Sequence, residues 1–121
     1  MSQITVENIK RSTETASRST RGVAAAWVNF NGTGTVAVRD SENVASLVDD
    51  GTGSYRVNFS NAFGAADYAP TGAGDGTGNT EVCVIDASLV LAGSAGFIFA
   101  KPGVATGDPT YCVISIHGDL A

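Results

Sequence analysis

Residues that do chemistry are scarce in this chain of 121: there is one histidine and two cysteines, alongside three prolines and one tryptophan. A single imidazole, His117, cannot pair with another. Cys83 and Cys112 lie far apart, with no Cys or His pair nearby, which excludes a zinc finger or ribbon. No metal or cofactor is expected. His117 is followed two residues on by Asp119, but no serine stands in the Gly-x-Ser-x-Gly setting of a nucleophile elbow. A lone histidine near a strand end reads as a surface or hydrogen-bonded group, and no recognisable motif pairs two carboxylates for acid and base work. The sequence therefore predicts a protein that is not an enzyme.

Positive charge is also thin, with seven Lys and Arg against twelve Asp and Glu and a formal net charge of −5. It is unevenly placed. Residues 1–21 hold Lys10, Arg11, Arg18 and Arg21 against Glu7 and Glu14, a local charge of +2, whereas residues 22–121 hold Arg39, Arg56 and Lys101 against ten acids, −7. Phosphate binding needs clustered cations, so nucleic acid is excluded as a partner. No run approaches the roughly 18 apolar residues of a membrane span. The opening Met1-Ser2-Gln3-Ile4-Thr5-Val6-Glu7 has neither the basic start nor the apolar stretch of a secretion signal, which predicts a soluble chain made in the cytoplasm, with no membrane partner. In that setting Cys83 and Cys112 are expected to be two thiols rather than a disulfide.

Glycine is plentiful at 15 residues, yet Gly72-Ala73-Gly74-Asp75-Gly76 lacks the Lys-Ser/Thr ending of a phosphate-binding loop and the helix that should follow it. Asp49-Asp50-Gly51 and Asp75-Gly76 do not follow the spacing of a calcium loop. Turn formation accounts for all of them.

Hydrophobic residues at 43% and a mean hydropathy of +0.10 predict a folded chain, and its length allows one domain. From Val23 onward the pattern is β. Ala24 to Phe30 leads into Asn31-Gly32-Thr33-Gly34 and then the alternating Thr35 to Arg39, a hairpin in which Asn-Gly is expected to supply the positive φ angles. Asp50-Gly51-Thr52-Gly53 separates Asn43 to Val48 from Tyr55 to Ser60, where Tyr55, Val57 and Phe59 share one face at period two. Further strands are expected at 67–69, 81–86, 97–100 and 111–117, the last with Cys112, Ile114 and Ile116 on one face. Residues 88–93 fit a helical turn or a strand equally. Pro70 to Asn79, with glycine at every second position from Gly72, is expected to be a long loop. About seven to eight short strands and Gly-rich turns predict an all-β chain, a single β-sandwich over 23–121 preceded by an extended N-terminal arm at 1–22. Within the arm, Ile4 and Val6 alternate with polar residues as a short strand, and Arg11 to Arg21 has too few apolar side chains to bury a face. Trp27, Tyr55, Tyr68 and Tyr111 could stack on sugar rings if exposed, although in a small sandwich such residues more often serve the core or a subunit interface.

The segments Ala25-Ala26-Trp27-Val28-Asn29-Phe30-Asn31-Gly32-Thr33-Gly34, Asn43-Val44-Ala45-Ser46-Leu47, Tyr55-Arg56-Val57-Asn58-Phe59 and Tyr68-Ala69, with the ending Ile114-Ser115-Ile116-His117-Gly118, resemble a β domain of tailed-bacteriophage virion proteins that commonly forms the C-terminal knob of tail fibres. The likeness spans roughly residues 23–121. It implies a non-enzymatic structural protein that assembles as a homotrimer, with Trp27, Phe30, Tyr55, Val57 and Phe59 buried in the domain or between subunits. Because only about twenty residues precede the β region, a capsid cement or decoration protein is expected in preference to a fibre. Its partners would then be further copies of itself and the major capsid protein, its place the capsid surface of the virion. Ile4, Val6, Lys10, Arg11, Arg18 and Arg21 would form the arm that binds the shell. The alternative is a tail-fibre tip or receptor-binding domain, in which Tyr68 and the 70–79 loop contact host glycan.

Overall fold

The computed structural model describes residues 2–10, 12–75, 82–101, 103 and 106–121. Two four-stranded antiparallel sheets face each other as a β-sandwich, as the alternating pattern predicts. One sheet is built from β3 (Ala26–Asn31), β4 (Ala37–Glu42), β7 (Ala69–Gly74) and β10 (Cys112–His117), in the order β4-β3-β10-β7. The other holds β5 (Val44–Gly51), β6 (Ser54–Phe59), β8 (Val82–Leu91) and β9 (Ser94–Ala100), in the order β5-β6-β9-β8. Near the N-terminus two short strands, β1 (Asn8–Ile9) and β2 (Arg18–Ser19), pair with each other alone, followed by a 3-10 turn at Thr20–Gly22.

Period two decides what is buried. Ala26, Val28 and Phe30 of β3, Tyr55, Val57 and Phe59 of β6, Ala95, Phe97 and Phe99 of β9, and Cys112, Ile114 and Ile116 of β10 point between the sheets and form one core. Burying such side chains contributes about 1.5–3 kcal/mol each. The rings divide into two clusters. At one end Phe30, Tyr55 and Phe99 meet edge to face, with centroids 5.1 to 6.3 Å apart. At the other, Phe59 lies 4.9 Å from Phe63 and 5.8 Å from Tyr68, both of which come from the β6–β7 crossover.

Polar clamps close both ends. The Tyr55 hydroxyl lies 2.8 Å from Asp108 Oδ1 and 3.0 Å from the Gly32 carbonyl, while the Gly53 N–H donates to the same carboxylate oxygen at 2.6 Å. Burial first, then the Asp108 carboxylate, pushes the Tyr55 phenol far above its ordinary pKa, so it remains a donor. At the opposite end Tyr68 Oη sits 2.7 Å from the Ser94 carbonyl and 3.0 Å from that of Leu91. The chain changes sheets between β4 and β5 at Asn43, whose φ of 56° is stabilised by its own side chain: Nδ2 donates to the Ala25 and Asn61 carbonyls, and Oδ1 accepts from the Asn61 N–H.

Several expectations need correction. The β3–β4 turn takes its positive φ at Gly34, not at Asn31 or Gly32: Asn31 still belongs to β3, and the Gly32 N–H donates to the Pro109 carbonyl at 2.9 Å. Residues 69–74 are a strand rather than the start of a loop. Pro70, Gly72 and Gly74 are its inward positions, opposite Ile116, Ile114 and Cys112, and smallness there is a packing requirement. A Cβ at Gly72 would lie 2.6 Å from Cys83 Sγ, and one at Gly74 would lie 2.7 Å from the Phe99 ring. Proline is tolerated because β7 is an edge strand. Residues 88–91 continue β8 past a register shift, and the rest of the expected loop, 76–79, lies outside the described residues.

Ile4 and Val6 are not in a strand; the pairing falls at Asn8–Ile9. Nor is the segment after Lys10 simply extended, since β2 and the 3-10 turn fold it back, with the Thr20 N–H donating to the Glu7 carbonyl at 2.9 Å. Arg11 lies outside the described residues. Trp27 is not a core residue: it alternates with Ala26 and Val28 and so faces outward, half-buried.

Candidate functional site

Three surfaces carry the residues of interest. The first is the N-terminal segment, in which no described residue before Val23 is buried. Ile4 is 89% exposed, and Val6 and Ile9 are also exposed, beside Lys10. Of the cations, Arg18 pairs with Glu14, and Arg21 reaches Asp119 at 2.6 Å, joining the segment to the chain's end. Lys10 donates to the Glu14 carbonyl at 3.4 Å and has no ion pair among the described residues. Arg18 and Arg21 are thus partly engaged already, which the sequence did not reveal.

The second is the outer face of the β4-β3-β10-β7 sheet. Here Trp27, Asn29, Thr71, Ala73, Val113 and Ser115 line a depression of about 460 Å³. Register explains its rows. Trp27 is flanked by Glu42 on β4 and Ser115 on β10, with Thr71 beyond, while Asn29 is flanked by Asp40 and Val113, with Ala73 beyond. A β-bulge between Asn29 and Phe30 sets Arg39 as an extra residue on β4. Its guanidinium therefore folds over the same face: it donates to Asn29 Oδ1 at 3.1 Å and to the Thr110 carbonyl at 2.6 Å, and lies 4.3 Å from the Tyr111 ring centroid.

The third is a cleft of about 420 Å³ between the edge strands β7 and β8, lined by Pro70, Gly72, Cys83, Ile85 and Phe97 among others. Burial pushes the Cys83 thiol up to about 11, leaving almost no thiolate at neutral pH. Neither cysteine forms a disulfide among the described residues, and Cys112 lies in the core. Unfolding should accordingly be indifferent to mild reductant. Equal melting temperatures with and without dithiothreitol are the expected result, whereas a bridge closing a loop of about thirty residues would have contributed roughly 3–4 kcal/mol.

Of the candidate core or interface residues, Phe30, Tyr55, Val57 and Phe59 meet in the core and Trp27 does not. Of the four possible sugar-stacking aromatics, Tyr55 and Tyr68 are buried, leaving Trp27 and Tyr111 on one face. Among the described residues no three of His, Cys, Asp and Glu form a group able to hold a metal ion. No helix is long and apolar enough to cross a membrane among the described residues. Comparison with protein-family models, curated proteins and solved structures gives no match.

Proposed function

We propose that this protein is a non-enzymatic structural component of a tailed-bacteriophage virion, a cement protein that binds the capsid surface as a homotrimer and stabilises the shell. The observation that carries the reading is the N-terminal segment, where Ile4, Val6 and Ile9 stand exposed beside Lys10, outside the sandwich and its core. Such a segment can add strand pairing and apolar contacts to a neighbouring surface, while its net positive charge favours an acidic one. The resemblance of residues 23–121 to virion β domains, strongest over 25–69, is in keeping with this reading.

Self-association falls to the β8 edge. It is ten residues long, exposes Val82, Val84, Ile85 and Leu91, and has Asp86 as the sole charge among its residues. An apolar edge with so little charge favours pairing with another copy. Deleting residues 2–20 is expected to leave a folded trimer, because none of the described residues removed is buried, and to abolish binding to undecorated capsids. Wild-type binding should weaken with added salt. Undiminished decoration by the truncated protein would move the docking surface to the sandwich, and a monomer in light scattering at micromolar concentration would remove the trimer.

A further inference from the structure

The outer groove around Trp27 combines an apolar floor with polar atoms that are not fully paired among the described residues. Trp27 and Val113 supply the floor, Val113 being 39% exposed. Among the described residues, no acceptor meets the Trp27 Nε1–H and no partner meets the Ser115 hydroxyl. Asn29 is more informative. A guanidinium can only donate, so the atom facing Arg39 must be Oδ1, and the two Nδ2 hydrogens are directed elsewhere with no acceptor among the described residues. Arg39 is itself fixed by Thr110 and Tyr111, so the amide is held in one orientation. Along the β4 side, Glu42 opposite Trp27 and Asp40 opposite Asn29 are exposed carboxylates without an ion pair among the described residues.

We propose that this groove binds a neutral pyranose sugar, its C–H face stacked on the Trp27 indole and its hydroxyls bonded by Asn29, Ser115 and the carboxylates of Asp40 and Glu42. Three features favour this ligand. The volume falls within the roughly 300–1,000 Å³ of small-molecule sites, and an aromatic floor with a few placed polar groups is their usual lining. Donors and acceptors stand side by side, as the hydroxyls of one sugar ring require. Charge selects against anions, because the two carboxylates flank the groove and its one neighbouring cation, Arg39, is already engaged. A second copy seated there would have to bring cations to Asp40 and Glu42, because burying carboxylates unpaired is costly. The site lies on a different surface from the shell-binding segment and does not depend on the virion reading.

Trp27 is the chain's single tryptophan, so its fluorescence reports on the groove alone. The intact protein would be titrated with glucose, galactose, mannose, N-acetylglucosamine and their β-linked disaccharides, with glucuronate as the anionic control. At least one neutral sugar is expected to change the emission saturably, with a Kd on the order of millimolar, and glucuronate is not. Asn29→Ala should weaken that response at least about tenfold, and Arg39→Ala should weaken it as well by freeing the amide, both with an unchanged circular-dichroism spectrum. The proposal is overturned if no sugar of the panel alters the emission, if glucuronate binds as well as the neutral sugars, or if Trp27 emission and acrylamide quenching depend on protein concentration, which would mean a second copy covers the face. The protein lacking residues 2–20 should keep its sugar response even where shell binding is lost, so the two readings can fail separately.

Discussion

Gly53→Ala is expected to destabilise the sandwich by about 2–5 kcal/mol, a large share of the roughly 5–15 kcal/mol that holds a domain folded. Two effects combine. The residue has a φ of 70°, where any side chain costs about 1–2 kcal/mol. A Cβ there would also lie 2.5 Å from the Phe99 carbonyl oxygen and 2.7 Å from that of Gly107, and backbone cannot move aside as a flexible side chain can. Relief of that overlap adds roughly 1–3 kcal/mol and strains the bonds that Gly53 makes to Asp108 and Phe99, at 2.6 and 2.7 Å. Gly34→Ala supplies the control. Its φ of 62° is similar but nothing lies within 4 Å, so only the conformational cost of about 1–2 kcal/mol should appear. Urea denaturation of the two variants separates the effects, and equal losses would mean that close approach at Gly53 contributes nothing.

Legibility in the sequence followed the size of the inward side chains. In β6 and β10 every second residue is large and apolar, so the strands, their faces and their place in the core could all be read from period two. β7 obeys the same period with Pro70, Gly72 and Gly74 inward, and residues that are ordinarily strand breakers hid it. Those glycines exist because Cys83 and Phe99, from the other sheet, occupy the space where side chains would be. That information resides in residues distant along the chain. β8 was half-hidden for a different reason: its register shifts between Asp86 and Leu91, and alternation fails where the ladder does.

Trp27 shows what parity along a strand decides and composition does not. The resemblance places it with Phe30 as buried in the domain or between subunits; the two stand three apart, and a strand puts such residues on opposite faces, so they do not share the core. Phe30 is fully buried and Trp27 looks outward. The groove beside it draws on three strands, β3, β10 and β7, so no local motif could announce it. The bulge that brings Arg39 to Asn29 is likewise a property of pairing, visible only once β3 and β4 are in register. The N-terminal segment was legible as polar and cationic, but not that Glu14 and Asp119 already hold two of its arginines.

Phe99→Ala should cost about 3–5 kcal/mol, because the ring is fully buried between Phe30 and Tyr55, at 6.3 and 5.8 Å, and truncation leaves a cavity at the clamped end of the core. Gly74→Ala alone should also destabilise, since its Cβ would come 2.7 Å from that same ring. Together the two should not add. Removing the Phe99 ring removes the main obstacle to a methyl group at position 74, and the methyl then fills part of the cavity, so the double variant should be at least as stable as Phe99→Ala alone. The expected coupling is at least about 1 kcal/mol, within the range for residues in direct contact. Chemical denaturation of the wild type, both single variants and the double variant measures it. Losses that sum to within roughly 0.5 kcal/mol, the margin for independent sites, would mean that β7 does not lie against Phe99 and that the glycines of this strand have another cause.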